Sequence, residues 1–154
     1  MRRTLVIAAL VAGLATVAVA QAFAQSGSGP QWATVNSCSP TAVGVRASLP
    51  GDGSQKRMRV RFTAQWFSPE QRAWLPVKGI ASSPWLDAGS AEYTYAQAGW
   101  TFRFGAPPAG KHFKVRGVAE MQWLQGGREV RSASRVTQGS VRSDVGGSQA
   151  SCLL

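Results

Sequence analysis

The sequence predicts an all-β domain, an antiparallel sandwich of about seven strands, and three observations carry that expectation. Apolar residues recur at every second position between the two cysteines rather than at helical spacing, the pattern of half-buried strands. Clusters rich in glycine and proline punctuate those runs, as the turns of an antiparallel sheet require. No stretch of helical length offers an amphipathic stripe, so strands must close the core on their own.

The chain of 154 residues opens on a segment that does not belong to that fold. Arg2 and Arg3 form a short positive region, an apolar run covers 5–20, and Ala22-Phe23-Ala24 supplies the small-residue pattern of a cleavage site. Residues 1–24 therefore read as a secretory signal peptide. A membrane anchor fits less well, because Gly13 interrupts a run shorter than the roughly 20 apolar residues that span a bilayer. Cys38 follows Val35-Asn36-Ser37 rather than small apolar residues, which disfavours a lipid anchor. No second apolar run of that length follows, so a soluble, secreted or extracytoplasmic protein is expected. Residues 25–31, with Ser26-Gly27-Ser28-Gly29-Pro30, read as a flexible leader, and one domain occupies 32–154.

The strand runs follow in order. Val43, Val45, Ala47 and Leu49 alternate inward, then Met58, Val60, Phe62, Ala64 and Trp66. Trp100, Phe102 and Phe104 make a third run, and Val115, Gly117, Ala119, Met121 and Trp123 a fourth. Pro50-Gly51-Asp52-Gly53, Ser68-Pro69-Glu70, Gly105-Ala106-Pro107-Pro108 and Gly126-Gly127 mark turns. Gly126-Gly127 suits a two-residue hairpin turn with positive φ. A regular ladder from that turn places Val130, Ser132, Ser134 and Val136 on the core side and sends Arg131 and Arg135 outward. Glu120 would then lie diagonally between those two arginines.

Cys38 and Cys152 stand near the two ends of the domain. In an oxidising compartment the simplest reading of an even pair is one internal disulfide, which ties the Gly/Ser-rich tail from 138 to 151 back to the first strand. Two free thiols or an intermolecular bridge are the alternatives.

Phe113-Lys114-Val115-Arg116-Gly117-Val118-Ala119 resembles the F strand of fibronectin type III and related immunoglobulin-like domains, with a G strand following through Thr137. The resemblance implies an immunoglobulin-like sandwich and no activity. Two departures stand out. Phe113 occupies the place of a corner tyrosine, and no intersheet cysteine pair surrounds a central tryptophan. The order of the early cysteine, the QAGWTFRF run and the late cysteine is also similar to small secreted proteins of high-GC bacteria.

Two features raise the question of function. If Met58, Val60 and Phe62 point inward, Arg57, Arg59 and Arg61 point out. In the related folds this strand neighbours the F and G strands, so Arg116, Arg131 and Arg135 are expected to share a basic face with them. Such a face attracts an envelope polyanion or anionic lipid, or it is simply a solvated sheet guarded by charge. Nucleic acid is disfavoured, because no row of aromatics is evident on that face and the protein is exported. Trp74 and Trp85 follow turns and are candidate exposed platforms for a sugar ring, or covers for the sandwich ends.

Catalysis finds little support in the sequence. His112 is the only histidine, which excludes a multi-histidine metal site and leaves any Ser-His-Asp arrangement dependent on that residue alone. Asp87, Glu92, Glu129 and Asp144 show no spacing of an acid/base pair. No cofactor motif is present. The expectation is a secreted, non-catalytic binding or structural module for an anionic or saccharide envelope component. The alternative is a protein-interaction module whose basic face serves solubility.

Overall fold

The computed structural model describes residues 30–79, 82–141 and 146–154, which form nine strands in two antiparallel sheets packed as a sandwich. Both the expected signal peptide and most of the leader lie outside the described residues, as does Asp144. Strands β1 (Trp32–Ser39), β2 (Ala42–Pro50) and β6 (Tyr95–Arg103) make the smaller sheet, with β2 central. In the larger sheet β3 (Arg57–Ser68) and β7 (Lys114–Gln125) are central, flanked by β4 (Ala73–Pro76) and β8 (Arg128–Val136). Two short strands complete it: β5 (Leu86–Ser90) pairs with the start of β3, and β9 (Cys152–Leu153) with the start of β7. These short additions raise the number of strands above the expected seven.

The core is the product of the period-two pattern. Val43, Val45, Ala47 and Leu49 of β2 face Met58, Val60, Phe62 and Ala64 of β3 and Val115, Ala119, Met121 and Trp123 of β7, all buried. Trp66 and Phe104 are half-buried at its end. Trp100 departs further. It pairs with Val45 and so lies on the inner side, but β6 is an edge strand, and the indole remains 37% exposed at the rim.

The β7–β8 hairpin corrects the predicted register. Gly126 and Gly127 do form the turn, with φ of 57° and 80° between paired Gln125 and Arg128. Leu124 pairs with Glu129 but Trp123 pairs with Arg131, so Val130 is an extra, bulged residue. A one-residue bulge exchanges the faces of everything beyond it. Arg131, Ala133 and Arg135 therefore stand opposite Trp123, Met121 and Ala119 on the core side, while Ser132 and Ser134 stand opposite Gln122 and Glu120 on the outer side. Arg131 and Arg135 do not join the other arginines, and Glu120 does not lie between them.

What the bulge accomplishes is visible one pair further on. Thr137 now sits opposite Gly117: its N–H donates to the Gly117 carbonyl at 2.9 Å, and its hydroxyl accepts from the Gly117 N–H at 3.2 Å. A β-carbon on Gly117 would meet the Val45 methyls at 2.7 and 2.8 Å and the Thr137 methyl at 3.1 Å. These neighbours are buried and stiff at χ1. Gly117→Ala is accordingly expected to destabilise the domain by about 1–3 kcal/mol through overpacking, read as a lower denaturant midpoint at unchanged slope.

The tail returns across both sheets. Val35 and Gln149 exchange backbone hydrogen bonds at 2.9 and 3.0 Å, and Phe113 and Leu154 do so at 3.0 and 2.9 Å. Buried Thr34 donates its hydroxyl proton to the Gln138 carbonyl at 2.8 Å, and the Thr137 hydroxyl donates to the Ala150 carbonyl at 2.6 Å. Cys38 of β1 and Cys152 of β9 form the expected disulfide, with Cα atoms 5.5 Å apart. The bridge joins one sheet to the other.

Candidate functional site: an arginine–tryptophan face

With Met58, Val60 and Phe62 buried, alternation turns Arg57, Arg59, Arg61, Thr63, Gln65 and Phe67 of β3 to the outer face. The β3–β7 register then supplies partners for Arg59, Arg61 and Gln65. Arg59 pairs with Gln122, and its Nε–H donates to Gln122 Oε1 at 2.7 Å. Arg61 pairs with Glu120 and reaches the same carboxylate oxygen through Nε at 3.0 Å and Nη2 at 2.5 Å. Gln65 pairs with Arg116, whose Nε–H donates to Gln65 Oε1 at 2.9 Å. Arg57, at the end of the row, forms an ion pair with Asp87 of β5.

Both candidate tryptophans lie over these arginines. Trp85 is carried by the segment entering β5, which is tied to β3 by Ser83: its N–H donates to the Phe62 carbonyl at 2.7 Å, and its hydroxyl accepts from the Phe62 N–H at 2.9 Å. That anchor lays the indole across the row, with Arg59 Cζ 4.7 Å and Arg61 Cζ 4.9 Å from the ring centroid. Trp74 on β4 pairs with Phe67, edge to face at 5.4 Å, and lies 4.3 Å from Arg116 Cζ. Each such contact contributes about 0.5–1 kcal/mol where exposed and more where water is excluded.

The electrostatics follow the same contacts. The Asp87 carboxyl is held below the usual carboxylate range, first by the Gly89 N–H and then by Arg57. Burial lowers the Arg116 pKa, though guanidinium remains charged at any physiological pH. Of the four arginines on the face, Arg59, Arg61 and Arg116 are half-buried, and Arg57 keeps 73% of its side chain exposed. Trp85 separates two shallow clefts. One, of ≈ 520 Å³, is bordered by Gln55, Arg57, Arg59 and Asp87. The other, of ≈ 380 Å³, is bordered by Glu120, Gln122, Glu129, Ser132 and Ser134.

The structure thus brings together Arg57, Arg59, Arg61, Arg116, Trp74 and Trp85. It places Arg131 on the other side of the sheet, over the Trp123 ring at 4.1 Å, and Arg135 beside Gln31, to whose side-chain oxygen it donates at 3.0 Å. The face does carry aromatics among its arginines, contrary to the expectation that disfavoured nucleic acid; its remaining support is the predicted export. Sequence reasoning missed Gln65 and Gln122 as partners and the anchor Ser83, and gave Glu120 to Arg131 and Arg135 rather than to Arg61. Only cross-strand register reveals them, since each lies far from its arginine or tryptophan in sequence or carries no pattern of its own. Among the described residues, His112 is exposed before β7, and no group of three His, Cys, Asp or Glu residues is placed to hold a metal.

No protein-family model matches this sequence, and no curated protein matches it. Among solved structures, a glycosyl hydrolase family 2 member from Bacteroides cellulosilyticus is similar to 70% of this chain, with a TM-score of 0.38 and 9% sequence identity. The chain spans 14% of that protein's length.

Proposed function

We propose that this chain is an exported, immunoglobulin-like binding module that holds a saccharide of the cell envelope against Trp85 without catalysing a reaction. Export is supported by the composition of residues 1–24 and by a disulfide suited to an oxidising compartment. The immunoglobulin-like reading is supported by a β1-β2-β6 sheet facing one ordered β4-β3-β7-β8, with the F-like and G-like segments at β7 and β8.

The observation that carries the saccharide reading is the position of Trp85 between two clefts bordered by amide, carboxylate, hydroxyl and guanidinium groups. An indole offers a flat apolar surface to the C–H face of a sugar ring, while Gln55, Arg57 and Asp87 on one side and Glu129, Ser132 and Ser134 on the other offer hydrogen bonds to its hydroxyls. A plain polyanion site is less well supported. Arg59, Arg61 and Arg116 already spend their Nε–H groups on neighbours, which leaves Arg57 the most accessible cation of the row.

The test is retention of the oxidised protein on an isolated envelope polysaccharide fraction at low and high salt. Trp85→Ala is expected to weaken retention about tenfold, equivalent to ~1.4 kcal/mol, and retention by the unaltered protein is expected to survive high salt. Retention that vanishes with salt points to charge pairing instead. Absence of retention, or an unaffected Trp85→Ala, defeats the proposal. A second reading, an extracellular protein-interaction module, is favoured by the outermost strand β8, where Val130 and Val136 are 51% and 39% exposed.

A further inference from the structure

At the end of the sandwich remote from the Gly126-Gly127 turn, the two sheets part around an apolar cleft of ≈ 320 Å³. Trp66 and Phe113, edge to face at 6.3 Å, form one wall. Phe104, Pro107 and Leu154 form others. Its volume falls within the roughly 300–1,000 Å³ of small-molecule sites. Trp66 and Val77 also line an adjoining open groove of ≈ 740 Å³, bordered as well by Leu75 and Lys78. No aspartate or glutamate lines either space.

One cation borders these spaces: Lys78 lines the groove, is exposed, and forms no ion pair with a described residue. This contrasts with the arginine face, where Arg57 and Arg61 have carboxylate partners. An apolar slot whose adjoining groove carries an ammonium complements one class of molecule: a chain of methylenes ending in an acid.

We infer that this cleft is a second binding site, distinct from the Trp85 face, for a single-chain anionic amphiphile. The alkyl chain lies between Trp66, Phe104 and Leu154, and the acid group meets Lys78. Because the interaction is chiefly apolar burial, affinity depends on chain length. Each buried methylene is worth ~0.8 kcal/mol, about a fourfold change in Kd.

The experiment is calorimetric titration of the oxidised protein with octanoate, decanoate and dodecanoate below micelle-forming concentrations. Kd is expected to fall about fourfold for each added methylene until the cleft is filled. Lys78→Ala is expected to raise Kd for the alkanoate a few-fold, as for an exposed ion pair, and to leave decanol binding unchanged. Ala106 is an exposed loop residue that lines the cleft. Ala106→Phe is expected to block the chain and abolish the dependence on its length, with circular dichroism and thermal unfolding showing the fold intact. The inference is overturned if dodecanoate does not bind saturably, if Kd is indifferent to chain length, or if a folded Ala106→Phe binds as before. Cosedimentation with vesicles containing an anionic phospholipid, without saturable alkanoate binding, also overturns it and assigns the rim to a membrane surface.

Discussion

Replacing Cys38 and Cys152 together by serine is expected to lower the unfolding free energy by about 4–5 kcal/mol, and the melting temperature by on the order of 15–20 °C. The cysteines are 114 residues apart, and opening a loop of that length returns loop-closure entropy to the unfolded chain. The folded side of the balance offers little to offset it. Beyond Thr137 the described residues of the tail are mostly polar and exposed, attached through backbone pairs at Val35–Gln149 and Phe113–Leu154 and through hydroxyls of Thr34 and Thr137. Hydrogen bonds of that kind contribute only about 0.5–1.5 kcal/mol each. Amide exchange should therefore show Gln149 and Leu154 losing protection first, with central β3 and β7 changing only through the global loss of stability. A double variant melting within a degree or two of the oxidised protein would refute the loop-closure account. A domain total of roughly 5–15 kcal/mol makes the expected loss a large fraction of what holds the sandwich together.

How much of this was legible in the sequence depended on the range of the interaction. Alternation is local, so the buried sets on β2, β3 and β7 and the outward turn of Arg57, Arg59 and Arg61 were readable residue by residue. The disulfide was readable because two cysteines in a chain whose first residues read as an export signal leave few options. Arg131 and Arg135 were placed on the wrong face because a bulge at Val130 carries no sequence signal: its cause is the fit of Thr137 against Gly117 and Val45, three elements remote in sequence. Trp85 was recognised as a candidate platform, but its seat on Arg59 and Arg61 follows from Ser83 bonding to Phe62. The apolar cleft escaped notice for the same reason. Trp66, Phe104 and Phe113 come from three segments, and alternation alone assigned two of them to the core interior.

Trp123→Ala is expected to cost about 3–5 kcal/mol, the range for removing a large buried aromatic. The indole is fully buried on the core side of β7, between its ladder partners Met58 and Arg131, and its Nε1–H donates to the Pro50 carbonyl at 3.0 Å. Truncation opens a cavity and leaves that carbonyl, at the end of β2, without its indole donor. Trp123→Phe separates the two effects: most of the ring volume stays, and the loss should approach the ~1–3 kcal/mol of an orphaned buried acceptor. The same residue tests the register. With the bulge, Arg131 lies over the indole at 4.1 Å; in a regular ladder it would lie across the sheet, out of reach. A double-mutant cycle of Trp123→Leu, which removes the aromatic face, and Arg131→Ala, followed by denaturant unfolding, should therefore give a coupling energy of at least about 0.5 kcal/mol. Strict additivity would mean that Arg131 does not cover the indole, and the face assigned to β8 would have to be exchanged.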